Sequence, residues 1–245
     1  MKPNFELLAF AGADELARAA ASAWLDEIEA ANRAGRTHCV ALSGGRITQK
    51  FFAAAVEQGG ARKASFAQIH FFWADERCVP PTDAESNFKM ADELLFQPLK
   101  ISADQIHRLR GELPAAEAVE LANEELRRYA SANATGMSAL DLILLGMGED
   151  GHIASLFPNA TPEILNCPAP FLAVDNSPKP PPQRISLSYA AIAAARQVWV
   201  LVSGAGKEAA FRESLKSDGR TPLARVIQAR PAVLPVKLFS DLPSN

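Results

Sequence analysis

Leu140-Asp-Leu-Ile-Leu-Leu-Gly-Met-Gly148 is the stretch that most constrains the fold. Its run of leucine and isoleucine is typical of a strand buried on both faces, and the glycines that follow predict a tight turn at the carboxyl end of that strand. Strands buried on both faces belong to parallel sheets covered by helices. The stretch therefore predicts further strands and helices alternating on either side of it.

That alternation is present along the chain. Short apolar runs predict strands at 37–42, 69–73, 171–174, 184–187, 198–202 and 233–239. Helical spacing of apolar residues predicts helices at 14–31, from 46 through 56, and at 85–96, 114–129, 188–195 and 206–215. We expect one α/β domain over residues 1–245, Rossmann-like, with a mostly parallel sheet and helices on both faces.

Composition limits the classes of function. The 245 residues are 48% hydrophobic and 22% charged, as in an ordinary globular protein. A net charge of −3 gives no general attraction to nucleic acid or to a membrane surface, so we expect neither as a partner. The three cysteines show no metal-site or disulfide spacing, and the first six residues lack the apolar region of a signal peptide. A cytoplasmic location is expected.

Two candidate loops follow the strands at 37–42 and 69–73. In the first, Ser43, Gly44 and Gly45 precede a helix, so their backbone N–H groups are placed to bind an anion, although a plain tight turn is an equal alternative. In the second, Asp75 and Glu76 adjoin Arg77. This triplet predicts either a solvated turn with a local ion pair or an arginine oriented towards an anion.

Two more loops carry ionisable residues. Asp150 and His152 lie in the glycine-rich turn after the strand at 140–145, where a carboxylate next to a histidine can fix the tautomer of a general base. Arg184 and Lys207 each border a predicted strand and are candidate phosphate ligands. The other histidines (His38, His70 and His107) are interpreted as structural or surface residues, and the Pro-rich segment 177–183 as an ordered or lid-like surface loop.

These loops together resemble the 6-phosphogluconolactonase family, which is related to glucosamine-6-phosphate deaminases and isomerases. The resemblance covers nearly the whole chain. It is most specific at Asp150-Gly-His-Ile-Ala-Ser-Leu-Phe-Pro158, at Asp75-Glu-Arg-Cys-Val-Pro80 and at Ser86-Asn87. The deaminases usually carry Tyr in place of Arg77 and Asn-Glu-Pro near Ser155. The resemblance implies the deaminase/lactonase type of fold.

The resemblance also implies an activity and roles for the candidate residues. The activity is hydrolysis of 6-phospho-D-glucono-1,5-lactone to 6-phospho-D-gluconate, a step of the oxidative pentose phosphate pathway, by a monomer or homodimer without metal or organic cofactor. His152 would be the general base, Asp150 would orient it, and Arg77 would stabilise charge on the tetrahedral intermediate or grip the sugar acid. The substrate-binding residues would be Ser43, Gly44, Gly45, Arg46, Asp75, Arg184 and Lys207, most of them around the phosphate.

Arg46 departs from the family pattern, which usually has Ser or Thr there. The hydroxyl ligand is therefore either missing, with Arg46 pointing to solvent, or replaced by Thr48 or by the guanidinium of Arg46. Three alternatives to the lactonase remain open. They are a glucosamine-6-phosphate deaminase or isomerase, a covalent serine hydrolase that uses Ser43, and a non-catalytic sugar-phosphate sensor. Ala41 stands where the serine-hydrolase elbow has its first glycine.

Overall fold

A computed structural model describes residues 4–133 and 136–243 of the chain. The strands are β1 (Phe5–Ala9), β2 (His38–Leu42), β3 (Ile69–Trp73), β4 (Asp75–Arg77), β5 (Leu142–Gly146), β6 (Phe171–Val174), β7 (Arg184–Leu187), β8 (Gln197–Val202) and β9 (Val236–Ser240). The helices are α1 (Ala13–Arg33), α2 (Arg46–Arg62), α3 (Asn87–Ala91), α4 (Gln97–Leu99), α5 (Ala115–Tyr129), α6 (Pro162–Leu165), α7 (Tyr189–Ala194), α8 (Glu208–Ser214) and α9 (Pro222–Ala229). A π-helical turn (Asp92–Phe96) joins α3 to α4, and a 3₁₀ turn (Ala103–Gln105) follows.

Six of these strands form a parallel sheet in the order β1-β9-β8-β5-β2-β3. All five residues of β2 are buried, as are the first four of β5, which agrees with their unbroken apolar sequences. Helices flank the sheet, as the packing of α1 against α2 and β9 shows. The predicted α/β class with a mostly parallel sheet is confirmed.

A second, antiparallel sheet in the order β4-β7-β6 was not predicted. Ala74 joins the two sheets, because its N–H donates to Leu42 O and its carbonyl accepts from Leu187 N, both at 2.7 Å. The prediction of a turn at 75–77 is therefore wrong. Asp75 and Arg77 lie in β4 because their backbone pairs with β7, regardless of their charges.

The main helices form where apolar residues recur on one face. In α1 that face buries Trp24, whose ring packs against Phe51 of α2 at 5.4 Å and against Phe66 at 5.9 Å. The predicted helix at 114–129 is confirmed as α5. The segment predicted as one helix at 85–96 begins at Asn87 and becomes π-helical at Asp92.

The edge strand β1, the short helix α6 and the helix α9 were missed, although Thr221-Pro222 is a typical helix start. The predicted domain limits, residues 1 and 245, lie outside the described residues. Within the described ranges, no helix has the length and apolar character needed to cross a bilayer.

Candidate active site

A cleft of about 340 Å³ opens where the neighbouring strands β2, β5 and β8 end. In parallel α/β sheets ligands bind beyond the carboxyl ends of the strands, so its position agrees with the fold. Nine of the ten predicted site residues line it, namely Ser43, Gly44, Gly45, Arg46, Asp75, Arg77, His152, Arg184 and Lys207. The tenth, Asp150, does not line the cleft but is hydrogen-bonded to His152, which does.

His152 and Asp150 form a hydrogen-bonded pair in the turn after β5. His152 Nδ1 lies 2.5 Å from Asp150 Oδ1, and Phe157 packs against the imidazole with 4.8 Å between ring centroids. Because a carboxylate only accepts hydrogen bonds, the proton of the neutral ring is assigned to Nδ1 and the lone pair to Nε2. No described residue hydrogen-bonds Nε2, so it is available to a ligand in the cleft.

The electrostatic surroundings keep this histidine neutral. Burial lowers the pKa of His152, and the charge of Lys179 acts in the same direction, while Asp150 opposes them. For Asp150, burial is outweighed by the hydrogen bond and charge of His152, and the pKa of the carboxyl is lowered. At neutral pH the pair therefore consists of an unprotonated imidazole and an ionised carboxylate, which is the state a general base requires.

Gly148 provides the space in which the imidazole lies. A Cβ atom at this position would lie 2.0 Å from His152 Cε1 and 2.8 Å from Asp150 Oδ1. Gly151, at φ +79°, turns the chain, and its carbonyl accepts from Leu223 N of α9 at 3.2 Å. Gly148 therefore leaves room for the imidazole to lie against the backbone, and the carbonyl of Gly151 attaches the turn to α9.

The glycine loop after β2 places the N-terminus of α2 at the cleft. Gly45, at φ +105°, is the N-cap residue of α2, and the first turn of this helix contains no acidic residue. The positive end of the helix dipole is therefore uncompensated and favours an anion. Ser43 Oγ donates to Leu144 O at 2.8 Å and Thr48 Oγ1 to Gly44 O at 3.0 Å, so both hydroxyl protons are already used.

Two cations face this loop without a described ion-pair partner. Arg46 is exposed, and Lys207 is partly buried between β8 and α8. Burial lowers the pKa of Lys207, and the nearby charge of Arg46 lowers it further. Lys50 also lines the cleft, but it pairs with Asp14 at 2.5 Å. Arg46 and Lys207 are thus two adjacent positive charges for which a bound anion would be the counterion.

A buried polar cluster forms the opposite wall. Asp75 Oδ2 accepts from Ser155 Oγ at 2.6 Å and lies 3.9 Å from Arg184 Nη1. Arg184 also donates from Nε and Nη2 to three carbonyls of the 177–183 loop. Arg77 donates to Glu85 O, while its Nε is buried without a hydrogen-bond partner in the described structure. The wall therefore presents two guanidinium groups beside one carboxylate.

Asn87 and Glu76 are site residues that the sequence analysis did not assign. Asn87 lines the cleft, donates from Nδ2 to Asp75 O at 2.9 Å, and lies so close to Gly44 that a Cβ there would be 2.0 Å from its Oδ1. Glu76 is buried and accepts from Arg77 N, Asn87 N and Phe88 N, and burial raises its pKa. The part of the sequence that indicates both residues is Ser86-Asn87, which belongs to the family resemblance but carries no assigned role there.

The remaining histidines lie outside the cleft lining. His107 is bonded to His70 at 2.8 Å and to Glu125 at 2.8 Å, and His38 is buried at the start of β2. Their interpretation as structural residues agrees with these positions. Among the described residues, no group of three or more His, Cys, Asp or Glu side chains is arranged to hold a metal ion.

The chain is similar to known proteins in both sequence and fold. A family described as glucosamine-6-phosphate isomerases/6-phosphogluconolactonase matches residues 11–234. A 6-phosphogluconolactonase of Mycobacterium tuberculosis is 42% identical over 154 residues, which are 60% of this chain and 61% of that protein. The chain therefore spans about three fifths of the length of this curated relative.

Two solved structures have the same fold over nearly their full length. The 6-phosphogluconolactonase of Trypanosoma brucei has a TM-score of 0.84 at 26% identity, covering 96% of this chain and 95% of that one. A monomeric glucosamine-6-phosphate deaminase has a TM-score of 0.79 at 15% identity, covering 97% and 98%. At that identity the second likeness concerns the fold alone.

Proposed function

The chain belongs to the glucosamine-6-phosphate isomerase/6-phosphogluconolactonase family, and we propose that it hydrolyses 6-phospho-D-glucono-1,5-lactone to 6-phospho-D-gluconate. The observation that carries the proposal is the His152–Asp150 pair beside an anion-binding loop in one cleft. A phosphorylated lactone needs both features, since one end carries negative charge and the other is an ester that activated water can open.

The phosphate would occupy the end formed by Ser43, Gly44 and Gly45. There the backbone N–H groups and the N-terminus of α2 favour an anion, and Lys207 supplies a charge without a described partner. Arg46 and Arg184 would add positive potential. Since Ser43 Oγ already donates to Leu144 O, we expect its backbone rather than its hydroxyl proton to contact the phosphate.

The lactone carbonyl would lie beside His152. Nε2 would take a proton from a water molecule as the water oxygen bonds to the carbonyl carbon, and the carbonyl oxygen would become an oxyanion. When the intermediate collapses, the bond from that carbon to the ring oxygen breaks and the imidazolium returns its proton to the ring oxygen. Asp150 would hold the ring tautomer, and Arg77 would stabilise the oxyanion.

Asp75 would be a positioning residue that does not contact the reacting atoms. Its carboxylate is bonded to Ser155 and faces Arg184, so it connects the histidine turn to the small sheet. In this reaction scheme its role in substrate binding is to hold Arg184 in the cleft wall.

The structure disfavours two of the alternatives. A serine nucleophile needs a base within hydrogen-bond reach, but the described bond of Ser43 Oγ is to a backbone carbonyl. A sensor would not need a histidine oriented by a carboxylate, whereas a general base does. For the deaminase alternative, the relative that reaches 42% identity over 154 residues is a lactonase, that of Mycobacterium tuberculosis.

The direct test is to incubate the protein with freshly prepared 6-phosphogluconolactone and, in a parallel assay, with glucosamine 6-phosphate. We expect formation of 6-phosphogluconate above the spontaneous rate and no ammonia release from the amino sugar. Dominant ammonia release would contradict the proposal in favour of the deaminase. An acyl-enzyme on Ser43 detected by mass spectrometry would contradict the water-attack mechanism.

A further inference from the structure

The loop 177–183 has a defined position at the cleft although it lies at the surface. Arg184, which lines the cleft, donates from Nη2 to Lys179 O and Pro180 O and from Nε to Pro181 O, each at 3.1 Å. Ser177 Oγ donates to the same Lys179 carbonyl at 2.8 Å, and Ser177 N bonds to Pro182 O at 2.9 Å. Arg184 therefore fixes the backbone of Lys179 relative to the cleft wall.

The side chain of Lys179 is exposed and has no ion-pair or hydrogen-bond partner in the described structure. Most other cations around the cleft are paired, as Lys50 is with Asp14 and Arg184 is with Asp75. An unpaired ammonium on a fixed loop is available to pair with a ligand anion.

That charge acts on the catalytic end of the cleft. It contributes to the lowered pKa of His152 and of Asp150, after the larger effects of burial and of the His152–Asp150 contact, and to that of Lys207, after burial, Arg46, Asp241 and Glu149. An effect on all three residues places the ammonium within electrostatic range of the histidine pair and of the phosphate end. The backbone of Lys179 is held at the wall of the same cleft, because it is bonded to Arg184, which lines the cleft.

We propose that Lys179 is a further substrate-binding residue, which supplies positive charge to the lactone-carbonyl end of the cleft and which Arg184 positions through the loop backbone. The inference rests on the proposed function. As the water oxygen bonds to the carbonyl carbon, negative charge moves to the carbonyl oxygen. Collapse of the intermediate and protonation of the ring oxygen leave a carboxylic acid, which releases its remaining proton to solvent, so the product carboxylate carries negative charge at the same end of the cleft. Lys179 stabilises this charge in both states.

The test separates the carboxylate end from the phosphate end by binding alone. Isothermal titration calorimetry measures the affinity of 6-phosphogluconate and of glucitol 6-phosphate, which has the same phosphate but a hydroxymethyl group in place of the carboxylate. Because Lys179 is exposed, we expect Lys179→Met to weaken the binding of 6-phosphogluconate by about three- to fivefold and that of glucitol 6-phosphate by less than about 1.5-fold. Lys179→Arg should retain most of the affinity.

Lys216→Met is the matched control, since it removes the same charge from an exposed lysine that pairs with Glu213 outside the cleft lining. We expect it to bind both ligands as the wild type does. Unchanged binding of both ligands by Lys179→Met, or an equal loss of affinity for both, would overturn the inference. If the wild type still hydrolysed the lactone, the proposed function would stand. A wild type that neither hydrolyses the lactone nor binds 6-phosphogluconate would overturn both.

Discussion

Gly148→Ala tests whether the position of the imidazole, and not merely its presence, governs activity. The new methyl carbon would lie 2.0 Å from His152 Cε1 and 2.1 Å from Nδ1, where ordinary contacts begin at about 3.4 Å. The backbone of Gly148 is not in the positive-φ region, so alanine is compatible with the main chain. The imidazole must therefore move by more than about 1 Å and part from Asp150.

A displacement of that size is expected to lower kcat by about 10²-fold, because a misplacement of roughly 1 Å has that effect on general catalysis. This corresponds to about 2.7 kcal/mol in the activation barrier. The assay is the initial rate of 6-phosphogluconate formation from fresh lactone, corrected for spontaneous opening. Thermal unfolding should change little, since the imidazole borders an open cleft and has room to move.

Two controls separate displacement of the base from damage to the fold. Gly60→Ala adds a methyl group within α2, where no atom lies within 4 Å, and should leave kcat unchanged. Gly148→Ala in a His152→Ala background should lower kcat no further than His152→Ala alone, because both changes remove the same group. A kcat within about threefold of the wild type for Gly148→Ala, or an additive loss in the double variant, would refute the reasoning.

Three further predictions follow from the charged groups. Because burial lowers the pKa of His152, kcat/KM should rise with pH to a plateau, with its midpoint below 6.5, and a midpoint above 7 would contradict the assigned base. Lys207→Ala should raise KM about 10- to 150-fold with kcat little changed, whereas Arg46→Ala, which removes an exposed charge, should raise KM less than about fivefold. Burial also lowers the pKa of His38, so the unfolded state binds more protons below pH 6.5 and stability falls on acidification. His38→Leu should reduce that slope by up to about 1.4 kcal/mol per pH unit in urea unfolding, and an unchanged slope would exclude the role of His38.

The sequence predicted the parts of the fold whose pattern is set by burial on both faces. β2 and β5 are continuous apolar runs, and α1 and α5 have one apolar face, so local sequence agreed with tertiary environment. β4 could not be found this way, because Asp75-Glu76-Arg77 forms a strand only through its pairing with β7, more than 100 residues away. β1 lies at the sheet edge with mixed exposure, and so it lacks a strand pattern.

For the site, residue types and positions at strand ends were enough to gather nine of the ten candidate residues around one cleft. The interactions within the cleft could not be read in this way. The sequence contains glycine at positions 148 and 44. It does not show that the His152 imidazole lies against Gly148 or that the Asn87 amide lies against Gly44. Arg184 could likewise be assigned to the site, but not its bonds to the carbonyls of the Pro-rich loop.

The position of β1 has a consequence for synthesis of the chain. In the described structure β1 pairs only with β9, and Phe5 and Val236 are partners although about 230 residues separate them. At typical translation rates the first strand would wait roughly 10 to 50 s for its partner to leave the ribosome. During that interval Phe5, Leu7 and Leu8 have no sheet to join. Until β9 is synthesised, the apolar side chains of β1 therefore lack the partner strand that they have in the folded chain.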